Sequence, residues 1–192
     1  MPTDKTAIIH RVIQFMQKQD TEGARKTLRT EYPFVSVVPK ARRYTEAQSL
    51  RVFLRDGFVD RYTGKRLIFP GIFRLLHRLF PIEFPFHPNW KMAETHPAYW
   101  ELFPTIDHIV PIARGGVDRN ENWVTTTMLR NAAKSNSTLA ELGWVLHEPG
   151  ELSGWDGLMA LFVEIVESDT SVLQDAYLRR WHAAAIRSDI SA

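Results

Sequence analysis

The chain has 192 residues, of which 44% are hydrophobic and 24% charged, a composition that excludes an intrinsically disordered chain and suffices for one domain with a substantial core. It contains no cysteine, which excludes disulfides and thiolate zinc sites. The net charge of +2 hides an asymmetry: residues 1–80 carry 16 Lys and Arg against 7 Asp and Glu, leaving 8 against 15 for the rest, and a basic first part points to a polyanionic partner.

In chain order, Ile8, Ile9, Val12, Ile13 and Met16 have helical spacing, predicting an amphipathic helix over Asp4–Gln19 with Thr3 or Asp4 as its cap. Phe34–Val38 reads as a strand or extended segment stopped by Pro39. Thr45 and Gln48 form a capping-box pattern ahead of a second helix ending near Gly57, with Arg51 and Arg55 on one face. Ile72–Phe80 is predicted as a short helix, Pro81–Pro88 as irregular and His96–Phe103 as a helical turn or two. The apolar stretches are too short or too charged to span a membrane and the N-terminus lacks the unbroken apolar region of a secretory signal, so a cytoplasmic protein without membrane association is expected.

The segment that carries chemistry runs from Pro104 to Lys134. Thr105–Val110 and Trp123–Thr127 are β-type runs, Gly115 and Gly116 supply a turn between them, and Met128–Leu142 reads as a helix. A β-hairpin packed on a helix brings residues of a strand, a loop and a helix together. Asp107 and Asn131 offer hard oxygen donors suited to Mg²⁺. His108, beside them, can take a proton from water if its other ring nitrogen is oriented, and Asn122 could pin the loop that supplies that contact. Lys134, one helical turn beyond Asn131, is expected to meet a phosphate, as are Arg114 and Arg119 in the loop. Taken singly, each of these residues has an ordinary reading: an Asp-His pair in a turn, a loop asparagine, a solvated helix lysine. Their order, spacing and Gly-Gly loop together set them apart.

These residues resemble the HNH endonuclease family, whose pattern is an Asp-His pair before a Gly-Gly loop, an Asn before the second strand, and His or Asn on the helix. The steps from His108 to Asn122 and Asn131, 14 and 23 residues, are similar to those of the HNH domain of CRISPR effectors. Upstream, Phe58–Gly64 resembles the family's Cys-x-x-Cys-Gly turn with Asp60 and Thr63 at the cysteine positions, and Met128 stands where a further cysteine is common. The chain thus looks like a member without structural zinc, in which packing replaces the metal.

The resemblance implies an α+β fold, with a central ββα-metal motif at 104–142 inside a mainly helical single domain, a basic region 1–103 before it and an acidic helical region 143–192 after it. That last region is expected to hold helices over Trp155–Glu167 and Ser171–Arg187, with Asp156 and Ser171 near their starts. The resemblance also implies phosphodiester hydrolysis, with His108 and Asn122 catalytic and Asp107 and Asn131 holding Mg²⁺ or another divalent cation (Mn²⁺, Ni²⁺ or Zn²⁺). The partner the resemblance implies is nucleic acid, with DNA preferred because most of the family acts on it. Phosphate contacts are expected from Arg42, Arg43, Arg51, Arg55, Lys65 and Arg66 as well as the loop arginines. The competing expectation is a catalytically inactive binding or assembly module of the same fold.

Overall fold

Asp4 accepts the Thr6 amide at 2.9 Å and opens α1 (Lys5–Gln17), and Asp20 accepts the Gly23 amide at 2.8 Å and opens α2 (Thr21–Glu31). Ile8 and Val12 of α1 and Ala24 and Thr27 of α2 are buried where the two helices meet, and Arg11 pairs with Glu31 across them. Sequence periodicity did not disclose α2, whose interior is largely polar. In the computed structural model residues 4–34 and 43–189 are described, and the chain divides into two compact units, residues 1–41 and 42–192. The extended segment expected over Phe34–Val38 falls, apart from the exposed Phe34, outside the described residues.

The second unit mixes helices with a two-stranded antiparallel sheet, an α+β arrangement. The capping box of Thr45 and Gln48 opens α3 (Glu46–Arg55), and α4 (Pro70–Leu79) starts on Pro70, whose missing N–H costs nothing in a first turn. A single turn, α5 (Ala98–Glu101), precedes the hairpin of β1 (Pro104–His108) and β2 (Trp123–Thr127), paired from Pro104↔Thr127 to His108↔Trp123. After it come α6 (Met128–Lys134) and α7 (Leu139–Leu142), where the sequence predicted one helix over 128–142. The helix stops because Ser135 takes a positive φ of 48°, and the Thr138–Glu141 capping box restarts it.

Asp156 accepts the amides of Leu158 and Ala160, both at 2.8 Å, just ahead of α8 (Met159–Ser168). The last helix, α9 (Ala176–Asp189), is opened by Asp175, which accepts the amides of Tyr177 and Leu178; Ser171 lies in a separate 3-10 turn, Thr170–Gln174. The apolar core gathers Phe53, Phe58, Phe69, Leu75, Phe162, Leu178 and Trp181 from α3, α4, α8, α9 and the segments between them, and Ile106 brings β1 onto it. Among the described residues no helix is long and apolar enough to cross a membrane.

One irregular segment matters for the site. Residues 58–67 double back on themselves: Leu67 N donates to Phe58 O at 2.7 Å and Asp60 N to Lys65 O at 2.8 Å. Asp60, 1% exposed, closes the turn by accepting Thr63 Oγ1 at 2.8 Å, the Tyr62 amide at 3.0 Å and, from β2, Thr126 Oγ1 at 2.9 Å. Arg61 N then donates to Thr125 O at 2.9 Å and docks the turn on the sheet. Packing was expected to hold this turn in place of a metal; Phe58, Tyr62 and Leu67 are buried in it, and hydrogen bonds to the buried Asp60 carboxylate, one of them from Thr126, tie it to the sheet.

Candidate active site

Val, Thr and Ile dominate the two strands and favour the pleated backbone, and Thr127 both ends β2 and caps α6 by accepting the Arg130 amide at 3.2 Å. The loop between the strands needs both of its glycines. Gly115 has φ +85°, and a Cβ on Gly116 would lie 1.9 Å from the Val110 carbonyl oxygen. Asn122 holds the loop closed: its Oδ1 accepts the Val110 amide and its Nδ2 donates to the carbonyls of Val110 and Val117, each at 2.9 Å. It is 7% exposed, so its chemistry is spent on backbone.

The loop held in this way presents Asp118 to His108. His108 Nε2 lies 2.8 Å from Asp118 Oδ1, and Trp123 Nε1 donates to the same oxygen at 2.9 Å, as does Tyr44 Oη at 3.1 Å. A carboxylate only accepts, so Nε2 carries the proton and Nδ1 is left as the basic nitrogen. The 3.2 Å separation of Trp123 Nε1 from His108 Nε2 is then an approach of two donors that share one acceptor. Burial alone would raise the Asp118 pKa, but the hydrogen bonds from His108, Trp123 and Tyr44 outweigh it and hold the carboxyl below its usual range. Sequence reasoning did not pick out Asp118; its place two residues after Gly116, in the loop that Asn122 was expected to pin, was the available signal.

Asp107, on the opposite face of β1 from His108, points into a polar interior. Its Oδ2 accepts Tyr62 Oη at 2.7 Å and pairs with Lys134 Nζ at 3.0 Å, while Lys134 Nζ also donates to the His108 carbonyl at 2.6 Å. Lys134 is completely buried. The expectation that it meets a phosphate is therefore corrected: position i+3 from Asn131 does put it on the same side of α6, but that side faces β1, and its ammonium is consumed inside the protein. Burial, and then the neighbouring Asp107 charge, push the Tyr62 hydroxyl far above the ordinary tyrosine range, so it remains a donor.

Asn131 Nδ2 donates to the Ile106 carbonyl at 3.2 Å, which fixes the amide against the strand that carries Asp107. Among the described residues, neither Asp107 Oδ1 nor Asn131 Oδ1 accepts a hydrogen bond, and no three His, Asp or Glu side chains cluster as a metal site. A cation here would take one carboxylate and one amide oxygen and complete its shell with water. Such a hard, sparse donor set fits Mg²⁺ chemistry.

The basic candidates divide. Arg55 is spent on structure, donating to Asp56, to the Asn120 carbonyl at 2.8 Å and to the Trp123 carbonyl at 2.6 Å. Arg114 ties the loop to the Asn136 carbonyl and Glu141, each at 3.2 Å, and Arg66 lies 5.1 Å from the Trp155 ring. Neither Arg55 nor Arg114 is placed as a free phosphate ligand. Arg43, Arg51, Lys65 and Arg119 are exposed, and Arg42 lies outside the described residues. No protein-family model matches the chain, and neither does any curated protein or solved structure.

Proposed function

We propose that the chain is a metal-dependent endonuclease of the HNH (ββα-metal) type, hydrolysing phosphodiester bonds in nucleic acid, with DNA as the preferred substrate. The observation that carries this reading is the state of His108. Its Nε2 is committed to Asp118 at 2.8 Å, which leaves Nδ1 to accept a proton. In this scheme Nδ1 takes the proton of an attacking water, and Asp118 stabilises the imidazolium that forms. Asp107 Oδ1 and Asn131 Oδ1 would hold a divalent cation, Mg²⁺ or one of Mn²⁺, Ni²⁺ and Zn²⁺, which when bound supplies positive charge to the phosphate and to the departing 3′ oxygen. Attack at phosphorus leaves 5′-phosphate and 3′-hydroxyl ends. Asn122 holds the loop that aims Asp118, and Arg43, Arg51, Lys65 and Arg119 are the side chains offered to backbone phosphates.

One observation favours a second reading, a non-catalytic nucleic-acid-binding module of the same fold: Lys134 already neutralises Asp107, so the carboxylate needs no metal to be satisfied. Incubation of the protein with supercoiled, linear and single-stranded DNA and with RNA, in Mg²⁺, Mn²⁺ or EDTA, separates the two. Metal-dependent cleavage is the expected result. Binding without cleavage on every substrate and metal would leave the module.

A further inference from the structure

We infer that the turn at residues 60–64 is a positioning device for the candidate metal site, with Tyr62 as the residue that holds Asp107 from outside the hairpin and helix. The inference rests on the nuclease reading of Asp107. Tyr62 is 45 residues away in sequence, yet its hydroxyl donates to Asp107 Oδ2 at 2.7 Å, on the same oxygen that Lys134 Nζ approaches to 3.0 Å. Two donors on Oδ2 commit that oxygen, and Oδ1 is the one left for a cation. Asp107 is thereby made a one-oxygen ligand with a fixed carboxylate plane, the usual work of a group that braces a metal ligand from behind.

The turn is built for this. Asp60 binds the Tyr62 amide itself and is anchored to β2 through Thr126, so the hydroxyl and the carboxylate it meets are tied to one sheet. The Tyr62 ring is held separately, 5.5 Å from the Trp144 ring and 5.9 Å from Lys134 Nζ. Removing the hydroxyl therefore leaves the ring its packing, and Tyr62→Phe isolates the one hydrogen bond at issue. A residue more remote in the same chain of contacts, Thr63, touches Asp60 at 2.8 Å and not Asp107.

The test is calorimetric titration of the whole protein with Mn²⁺ alone, beside thermal unfolding. Tyr62→Phe is expected to raise the Mn²⁺ Kd about 10-fold, at the low end of the effect of removing an outer partner of a metal ligand. Thr63→Val is expected to raise it less, in the same direction. In single-turnover cleavage at saturating Mn²⁺, Tyr62→Phe should lower the rate and leave the affinity for nucleic acid unchanged. A lowered Tm with wild-type Mn²⁺ affinity in Tyr62→Phe would mean that the hydroxyl serves stability alone, and the inference fails. Should Tyr62→Phe not fold by circular dichroism, Thr63→Val decides, and an unchanged Kd there overturns the inference. A wild-type protein that binds no Mn²⁺ overturns both this and the metal reading of Asp107. Mn²⁺ binding that weakens in Tyr62→Phe, in a protein that cleaves nothing, upholds the positioning role and removes the nuclease.

Discussion

The second unit has two buried interiors held by different forces. Around Phe58, Phe69, Phe162 and Trp181, aromatic rings meet at centroid separations of 5.0–6.3 Å, and stabilisation follows the apolar area removed from water. Beneath the hairpin, Asp56, Asp60, Asp107, Thr125, Thr126 and Lys134 are also buried, but each side chain answers to a named polar partner, Asp107 through Oδ2 alone. Asp56 shows the pattern: it accepts the Thr125 amide at 2.7 Å and is bracketed by Arg55 and Arg61 at 2.9 and 3.0 Å. An apolar interior degrades in proportion to what is removed from it. A polar one fails at the first lost partner, because the group left behind has already given up its water. The candidate site is built on the second kind, which explains how it can hold a histidine, a carboxylate and an asparagine in fixed orientations.

Conservative substitutions expose this contrast most directly. Asp56→Asn, nearly isosteric, turns an acceptor facing two arginines into a partial donor and is expected to cost about 3–5 kcal/mol, the scale of breaking a buried ion pair. Phe162→Leu, in a side chain equally inaccessible, should cost about 1–2 kcal/mol. Urea unfolding of both variants measures the difference, and equal losses would show that the two interiors are not distinct in kind.

Within the polar region, function and stability should separate. His108→Ala is expected to lower single-turnover cleavage about 10²- to 10⁴-fold, the range for losing a general base, while Mn²⁺ affinity stays near wild type. Asp118→Asn keeps an acceptor for Nε2 but loses the charge that stabilises the imidazolium, and about a 10- to 100-fold loss is expected. A wild-type rate in His108→Ala would remove His108 as the base.

The smallest effect belongs to a polar contact on the rim of the apolar core. Asp175 caps α9 and accepts Arg74 Nε at 2.8 Å. Its burial raises the pKa, but the arginine and the backbone amides outweigh that and hold the carboxyl below its usual range. Because the folded pKa is depressed, the stabilisation is complete above the ordinary carboxylate pKa and is lost as pH falls through the lower, folded value. Asp175→Ala should therefore cost about 1 kcal/mol at pH 7, within the range for a lost cap. The gap from wild type should close as the pH drops below the ordinary aspartate value of about 4. A gap that persists to the acid end would assign the effect to packing of α9 and not to the charge.

Local sequence by itself determined the elements whose signals act within a few residues. The Asp4 cap, the Thr45–Gln48 box, the Gly115–Gly116 turn and the order strand, loop, strand, helix all lie where their short-range chemistry puts them, and so does Asn122 closing its loop. The same kind of signal was present and outweighed at Ser135, where the Thr138 box further on splits the expected helix. Tertiary structure decided the rest. Helical spacing tells which residues share a side of α6 but not what that side faces, so Lys134 reads as a solvated cation until β1 is laid across it. Tyr62 and Asp107 are joined by a hydrogen bond across 45 residues, and Arg55 reaches the hairpin carbonyls across 65 and 68. No local periodicity encodes such pairings, because burial and the partners it demands depend on which segments the folded chain brings together.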